Sequence, residues 1–196
     1  MQEVDGKNLK SVKILPKDIE MAKMTYQTEK YEEDVWKDTL DETNEYVQMY
    51  DVRIDRLEDI VGGLEVKSGI VNDNLEKHTT NLEQINSVYD KIKDMPEEML
   101  TQEQREFLQD YDKMKHEKET QLKEDNFSLQ ELENAINAKE NQIRSNQTKK
   151  EMIEAHRDLR VQPKYEKEKE EADKAYENYQ DLIEQYKEQG EVWYEL

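Results

Sequence analysis

The chain has 196 residues and a formal net charge of -20; 40% of its residues are charged and only 34% fall in the set AVILMFWYC. A compact single-core domain is nearer half apolar, so this composition argues for long helices with narrow apolar seams or for disorder. The charge (isoelectric point near 4.6, mean hydropathy -1.23) disfavours direct binding to nucleic acid or anionic lipid.

Residues 1–15 show no clear period. They read as an extended N-terminal arm, with Ile14 and Leu15 as apolar contacts at its end. After Pro16 the pattern becomes helical. Proline suits a first helical turn, and Asp18 and Glu20 complement the dipole. A seven-residue template then places one seam at Leu40, Val47, Ile54, Val61, Ser68, Leu75, Leu82 and Tyr89. Its companion holds Thr43, Tyr50, Leu57, Leu64, Val71, His78, Ile85 and Ile92. Only Thr43, Ser68 and His78 are neither apolar nor aromatic, which is a coiled-coil signature. The same phase extends back through Trp36, Tyr26, Ala22 and Ile19, with misses at Glu33 and Glu29.

Gly62, Gly63 and Gly69 interrupt this run, but the heptad phase is unchanged across them. One helix over 17–94 is therefore expected. Its weak point falls at the glycines, which are hinge candidates or sites of close helix packing. At roughly 1.5 Å per residue such a helix would be about 117 Å long.

Pro96 ends this helix, because the residue before a proline disfavours the α region. The turn is placed at 95–101. Thr101 and Gln104 then form a capping-box pattern that opens a second helix, 102–160. Its seam runs Leu108, Tyr111, Leu122, Leu129, Leu132, Ile136, Ile143 and Ile153, with polar members at Lys115, Lys118, Asp125, Lys139, Asn146 and Lys150. A break or kink is expected near 161–163, at Pro163. A third helix, 164–189, carries Tyr165, Ala172, Tyr176, Tyr179, Ile183 and Tyr186 on one side. Gly190 is a C-terminal cap candidate, and 191–196 an apolar tail. The expected fold is all-α: an elongated antiparallel coiled-coil hairpin with a kinked return arm, in one domain spanning 16–190. A turn centred near 98 sets Trp36 near Val161. Segment 26–66 holds thirteen acids and four bases, while 144–170 holds eight bases and six acids; the hairpin brings these together. The competing arrangement places the first seam in a parallel homodimer.

No motif carries chemistry. Cysteine is absent. His78, His116 and His156 lack metal-ligand spacing, and there is no Glu-x-x-His of the kind a diiron bundle requires. His156-Arg157-Asp158-Leu159 matches the start of a kinase catalytic loop, but Pro163 stands where that motif needs Asn, and no phosphate loop accompanies it. The expectation is a non-enzyme with no cofactor and no metal site. The heptad layers over 57–92, with a polar layer at His78, resemble a SNARE motif. They depart from it in the layer residue, usually Gln or Arg, and in lacking a membrane anchor. That resemblance implies a tethering role.

His78 is the register-setting candidate, since a polar group in a seam fixes alignment at a cost in stability. The partner-binding candidates are Trp193, Tyr194 and Val192 in the tail and Ile14 and Leu15 in the arm, because aromatic side chains are common interface anchors. Eleven tyrosines against two phenylalanines suggest a wide, partly wet core or a tyrosine-rich interface. The expected function is structural: an adapter that spaces or joins components of a larger protein assembly. Its partners would be proteins, basic ones favoured by charge, with no nucleic acid bound directly and no membrane insertion. An acidic helical decoy that occupies a basic groove is the alternative. The expected location is the cytoplasm or the inside of an assembled particle.

Overall fold

The computed structural model describes residues 13–193 and is an all-α helical hairpin. Helix α1 runs Pro16–Ile92, α2 Gln102–His156 and α3 Gln162–Glu188. A 3-10 turn, Glu97–Met99, lies in the connector, and a π turn, Arg157–Val161, joins α2 to α3. Among the described residues two compact units are present, 13–49 with 150–193, and 50–149.

The seam explains α1. All sixteen template positions from Leu40 to Ile92 are buried or half-buried, and none is exposed. Most are half-buried because a seam residue in a two-helix pair is covered from one side only. Thr43 is buried without penalty, since its hydroxyl donates to the Thr39 carbonyl at 2.6 Å. The extension back through Glu33 and Glu29 also holds: Glu33 is buried and accepts from Lys30 Nζ at 2.7 Å.

The connector forms as the sequence dictates. Pro96 halts helical hydrogen bonding, and its carbonyl accepts from Met99 N in the 3-10 turn. The capping box is present in both directions. Gln104 N donates to Thr101 Oγ1 at 3.2 Å, and Thr101 N donates to Gln104 Oε1 at 2.9 Å. Leu100 and Ile92 are buried beneath the turn.

The irregularity expected near 161–163 takes the form of a π turn and not of a break. The chain stays helical through Pro163, and the irregularity comes one turn earlier as the π turn. Gln162 N donates to the Arg157 carbonyl, a five-residue step. Proline lacks an N–H and its ring clashes with the carbonyl four residues back, that of Leu159. A wider turn immediately before it relieves that clash without ending the helix. Val161, only 1% exposed, anchors this turn in the interface.

Pairing is antiparallel within each unit. In the first, Tyr26 meets Tyr176 (ring centroids 5.1 Å apart), and Lys164 Nζ lies 6.0 Å from the Trp36 ring centre. Trp36 therefore faces Lys164, about one turn beyond the expected Val161. In the second unit, Tyr89 stacks on Tyr111 with centroids 3.7 Å apart and planes 11° from parallel. Tyr111 also donates to Asn86 Oδ1 at 3.0 Å.

The glycines lie inside α1, not in a loop. No atom lies within 4 Å of where a Cβ would sit on Gly62, Gly63 or Gly69. Close helix packing is therefore not what requires them.

Candidate functional site

The terminal candidates divide sharply. Ile14 belongs to a buried cluster with Ile19, Ala22, Tyr179, Ile183 and Tyr186, and Trp193 packs against it. Local chemistry brings both ends there. Asp18 Oδ2 accepts from Leu15 N at 2.9 Å and fixes the chain where α1 begins. After α3, Gly190 takes a left-handed φ of 82° and donates to the Lys187 carbonyl at 2.9 Å. That reversal folds the tail back, so Trp193 meets Tyr186 edge-on at 6.3 Å. Trp193 Nε1 is buried without an acceptor among the described residues. Trp193 and Ile14 are thus engaged within their own unit. Val192 and Leu15 are exposed, and Tyr194 lies outside the described residues.

His78 has a partner across the helix pair. Its Nδ1 lies 2.8 Å from Asp125 Oδ2, and both side chains are largely shielded from solvent. The polar interruption of the first seam thus meets a polar interruption of the second. A one-heptad slip would set Asp125 against Val71 or Ile85, and His78 against Leu132 or Lys118. The His156–Leu159 tetrapeptide falls at the end of α2 and in the π turn. Arg157 donates to Asp158 Oδ1 at 2.7 Å and to Asn44 Oδ1 at 3.3 Å, a structural use of these side chains.

Two features escaped sequence reading. The first is Glu168, 1% exposed on α3. Its Oε1 accepts from Lys164, and Lys167 lies 3.5 Å away. The bond from Lys164 holds the Glu168 carboxyl below the usual glutamate range, against the opposing effect of desolvation. Carboxylate oxygens of Glu29, Glu32 and Glu168 lie within 4.8 Å of one another. Lys164 and Lys167 offset that negative charge at Glu168, while Lys30 pairs with Glu33 and Asp34 and is held above the ordinary lysine range chiefly by its bond to Glu33. Position 168 falls between Tyr165 and Ala172 at helical spacing, so the seam pattern could have marked it.

The second is the outward face of α1. Met21 and Met24 are each 67% exposed and Tyr31 70%, with Val35 and Tyr46 also exposed. In the heptad frame Met21 and Val35 share one position and Met24 and Tyr31 another, both opposite the buried seam. Glu20, Asp34, Asp38, Asp41, Glu42 and Glu45 lie exposed among and beside them. Glu42, Glu45, Tyr46 and Met49 line a shallow recess on this face. The periodicity signal was present, but the stronger inner seam masked it.

No described helix is long and apolar enough to cross a membrane. No family model matches the chain, and comparison with curated proteins and with solved structures finds no match.

Proposed function

We propose that this protein is a non-enzymatic structural adapter that joins components of a larger protein assembly, in the cytoplasm or inside an assembled particle. One observation carries the reading: the outward apolar stripe of α1, Met21, Met24, Tyr31 and Val35, set among exposed acids. Solvent-exposed apolar residues at heptad spacing suit a further helix. Charge selects which helix. A second copy of this face would bring acid against acid, so the occupant is a basic amphipathic helix of another protein. Methionines adapt to its side chains, and the recess at Glu42, Glu45 and Tyr46 suits a lysine or arginine.

The test is a photo-cross-linking residue placed at Met24 in the full chain, expressed in its native cells, with adducts mapped by mass spectrometry. Adducts confined to a Lys/Arg-rich amphipathic segment of a partner, and lost when Tyr31 and Val35 become serine, support the reading. Adducts to nucleic acid, or none, contradict it.

The exposed acids of the same face favour one rival, the acidic decoy for a basic groove. Salt separates the two. A decoy's affinity falls steeply as ionic strength rises, whereas a helix seated on the apolar stripe keeps a salt-resistant component. For the SNARE resemblance there is less support, since the polar layer residue His78 is already paired with Asp125 of its own chain.

A further inference from the structure

In a chain with 49 acids, one recess is lined by cations. It belongs to the unit 50–149. Arg53, Arg56 and Leu57 reach it from a single turn of α1. Facing them on α2 are Gln142, Ser145, Asn146 and Lys149, spaced so that they share one helix face. Leu57 and Asn146 are half-buried; Arg53, Arg56 and Lys149 are exposed.

Three observations set this recess apart from an ordinary solvated surface. None of its three cations makes an ion pair among the described residues, although most exposed lysines elsewhere have acids at helical spacing. Its α2 side is free of acids, with none in 141–150, and although Asp51, Asp55, Glu58 and Asp59 stand near the arginines in sequence, only Asp59 is at helical spacing, three or four positions, from any of the three cations. Finally, Arg53 is held with its guanidinium 5.5 Å over the Tyr50 ring, an arrangement that positions the cation and leaves N–H donors free at its edge. Three cations facing one recess without an ion pair repel one another, and a bound anion would relieve that repulsion.

We propose that this recess binds an oxyanion of the phosphate class. Arg53 and Arg56 supply planar donor forks and Lys149 a point charge, which together match a doubly charged tetrahedral group. Gln142, Ser145 and Asn146 add uncharged donors. The shared chemistry has two sources, a free phosphate or pyrophosphate and a phosphorylated side chain on a partner. The site goes beyond the adapter reading and stands independently of it, since it uses neither the outward face of α1 nor its acids.

The experiment titrates the 15N-labelled full chain with inorganic phosphate, pyrophosphate and a short phosphoserine peptide, following amide shifts by NMR. The result expected is saturable shifts confined to 53–57 and 142–149. They should weaken at least tenfold in the triple variant R53Q/R56Q/K149Q, whose helical circular dichroism should match that of the parent. A phosphoserine peptide that binds more tightly than phosphate, while its unphosphorylated form does not bind, supports the site and assigns the group to a partner protein. Equal or weaker peptide binding also supports the site and assigns it to a free anion. Absence of recess shifts with all three probes, or a triple variant that binds as well as the parent, overturns the proposal.

Discussion

Replacing the three interior glycines of α1 tests whether that helix is continuous. Gly62, Gly63 and Gly69 lie within Pro16–Ile92, nothing is within 4 Å of their would-be Cβ atoms, and none has a positive φ. Alanine at each should therefore cost nothing in packing or strain. It should gain the helix-propensity difference of about 1 kcal/mol per site, or roughly 2–3 kcal/mol for the triple variant, since 62 and 63 are adjacent and not fully independent. That is a large share of a typical folding free energy of about 5–15 kcal/mol. With a urea slope of about 2 kcal/mol/M, the unfolding midpoint followed at 222 nm should rise by roughly 1 M. Gly190 supplies the opposite sign. Its φ of 82° is left-handed, so Gly190→Ala should lower stability by about 1–2 kcal/mol. A triple variant that is unchanged or less stable would mean that α1 bends or breaks across 62–69, and the continuous-helix account would fall.

Other perturbations probe the polar layer, the buried acid and the tyrosine stack. His78→Leu alone should cost about 1–2 kcal/mol, because Asp125 loses its partner in a shielded seam. The double variant H78L/D125L should regain that stability but populate shifted registers, visible as extra amide peaks; equal losses in the single and double variants would argue against the pairing. Glu168 has a folded pKa below its ordinary value, so its contribution is present above roughly pH 4.3 and is lost as pH falls through the depressed value. The stability gap between the parent and Glu168→Gln should thus be flat at neutral pH and close on acidification; a gap that widens in acid would contradict the ion pair. Tyr111→Phe should cost about 1 kcal/mol through its lost bond to Asn86. Tyr111→Ala should cost about 3 kcal/mol and remove the near-ultraviolet dichroism of the Tyr89–Tyr111 stack.

Much of this fold is legible because heptad periodicity is a backbone-independent record of which side of a helix is covered. The seams, the Thr101–Gln104 cap and the Pro96 stop all appear in the structure as the residues imply. Register is less legible. His78 and Asp125 each stand out as a polar interruption, yet pairing them requires knowing how much chain the connector consumes. The Thr101 cap and the first turn of α2 precede the contact between Tyr89 and Tyr111, an offset of about one turn that periodicity does not carry. Pro163 marks a break or kink in the sequence because its local penalties are certain. What overrides them is tertiary: Val161 and Glu168, buried on either side, hold the helix while the π turn absorbs the clash. Glu168 itself was hidden by composition, since a buried glutamate looks like any of 49 acids until its spacing from Tyr165 and Ala172 is weighed. The arginines of the cationic recess were counted in the sequence as minor members of an acidic segment. Their grouping with Lys149 exists only once α1 and α2 are paired.

The most direct test of the central claim, that the first seam pairs with α2 of the same chain, uses the natural absence of cysteine. His78→Cys, Asp125→Cys and the double variant would be treated with a short bis-maleimide and analysed by mass and by peptide mapping. The account predicts a monomer-mass adduct joining 78 to 125 in the double variant and no covalent dimer from His78→Cys alone. A 78–78 dimer from the single variant would instead place the seam in a parallel homodimer and contradict the hairpin.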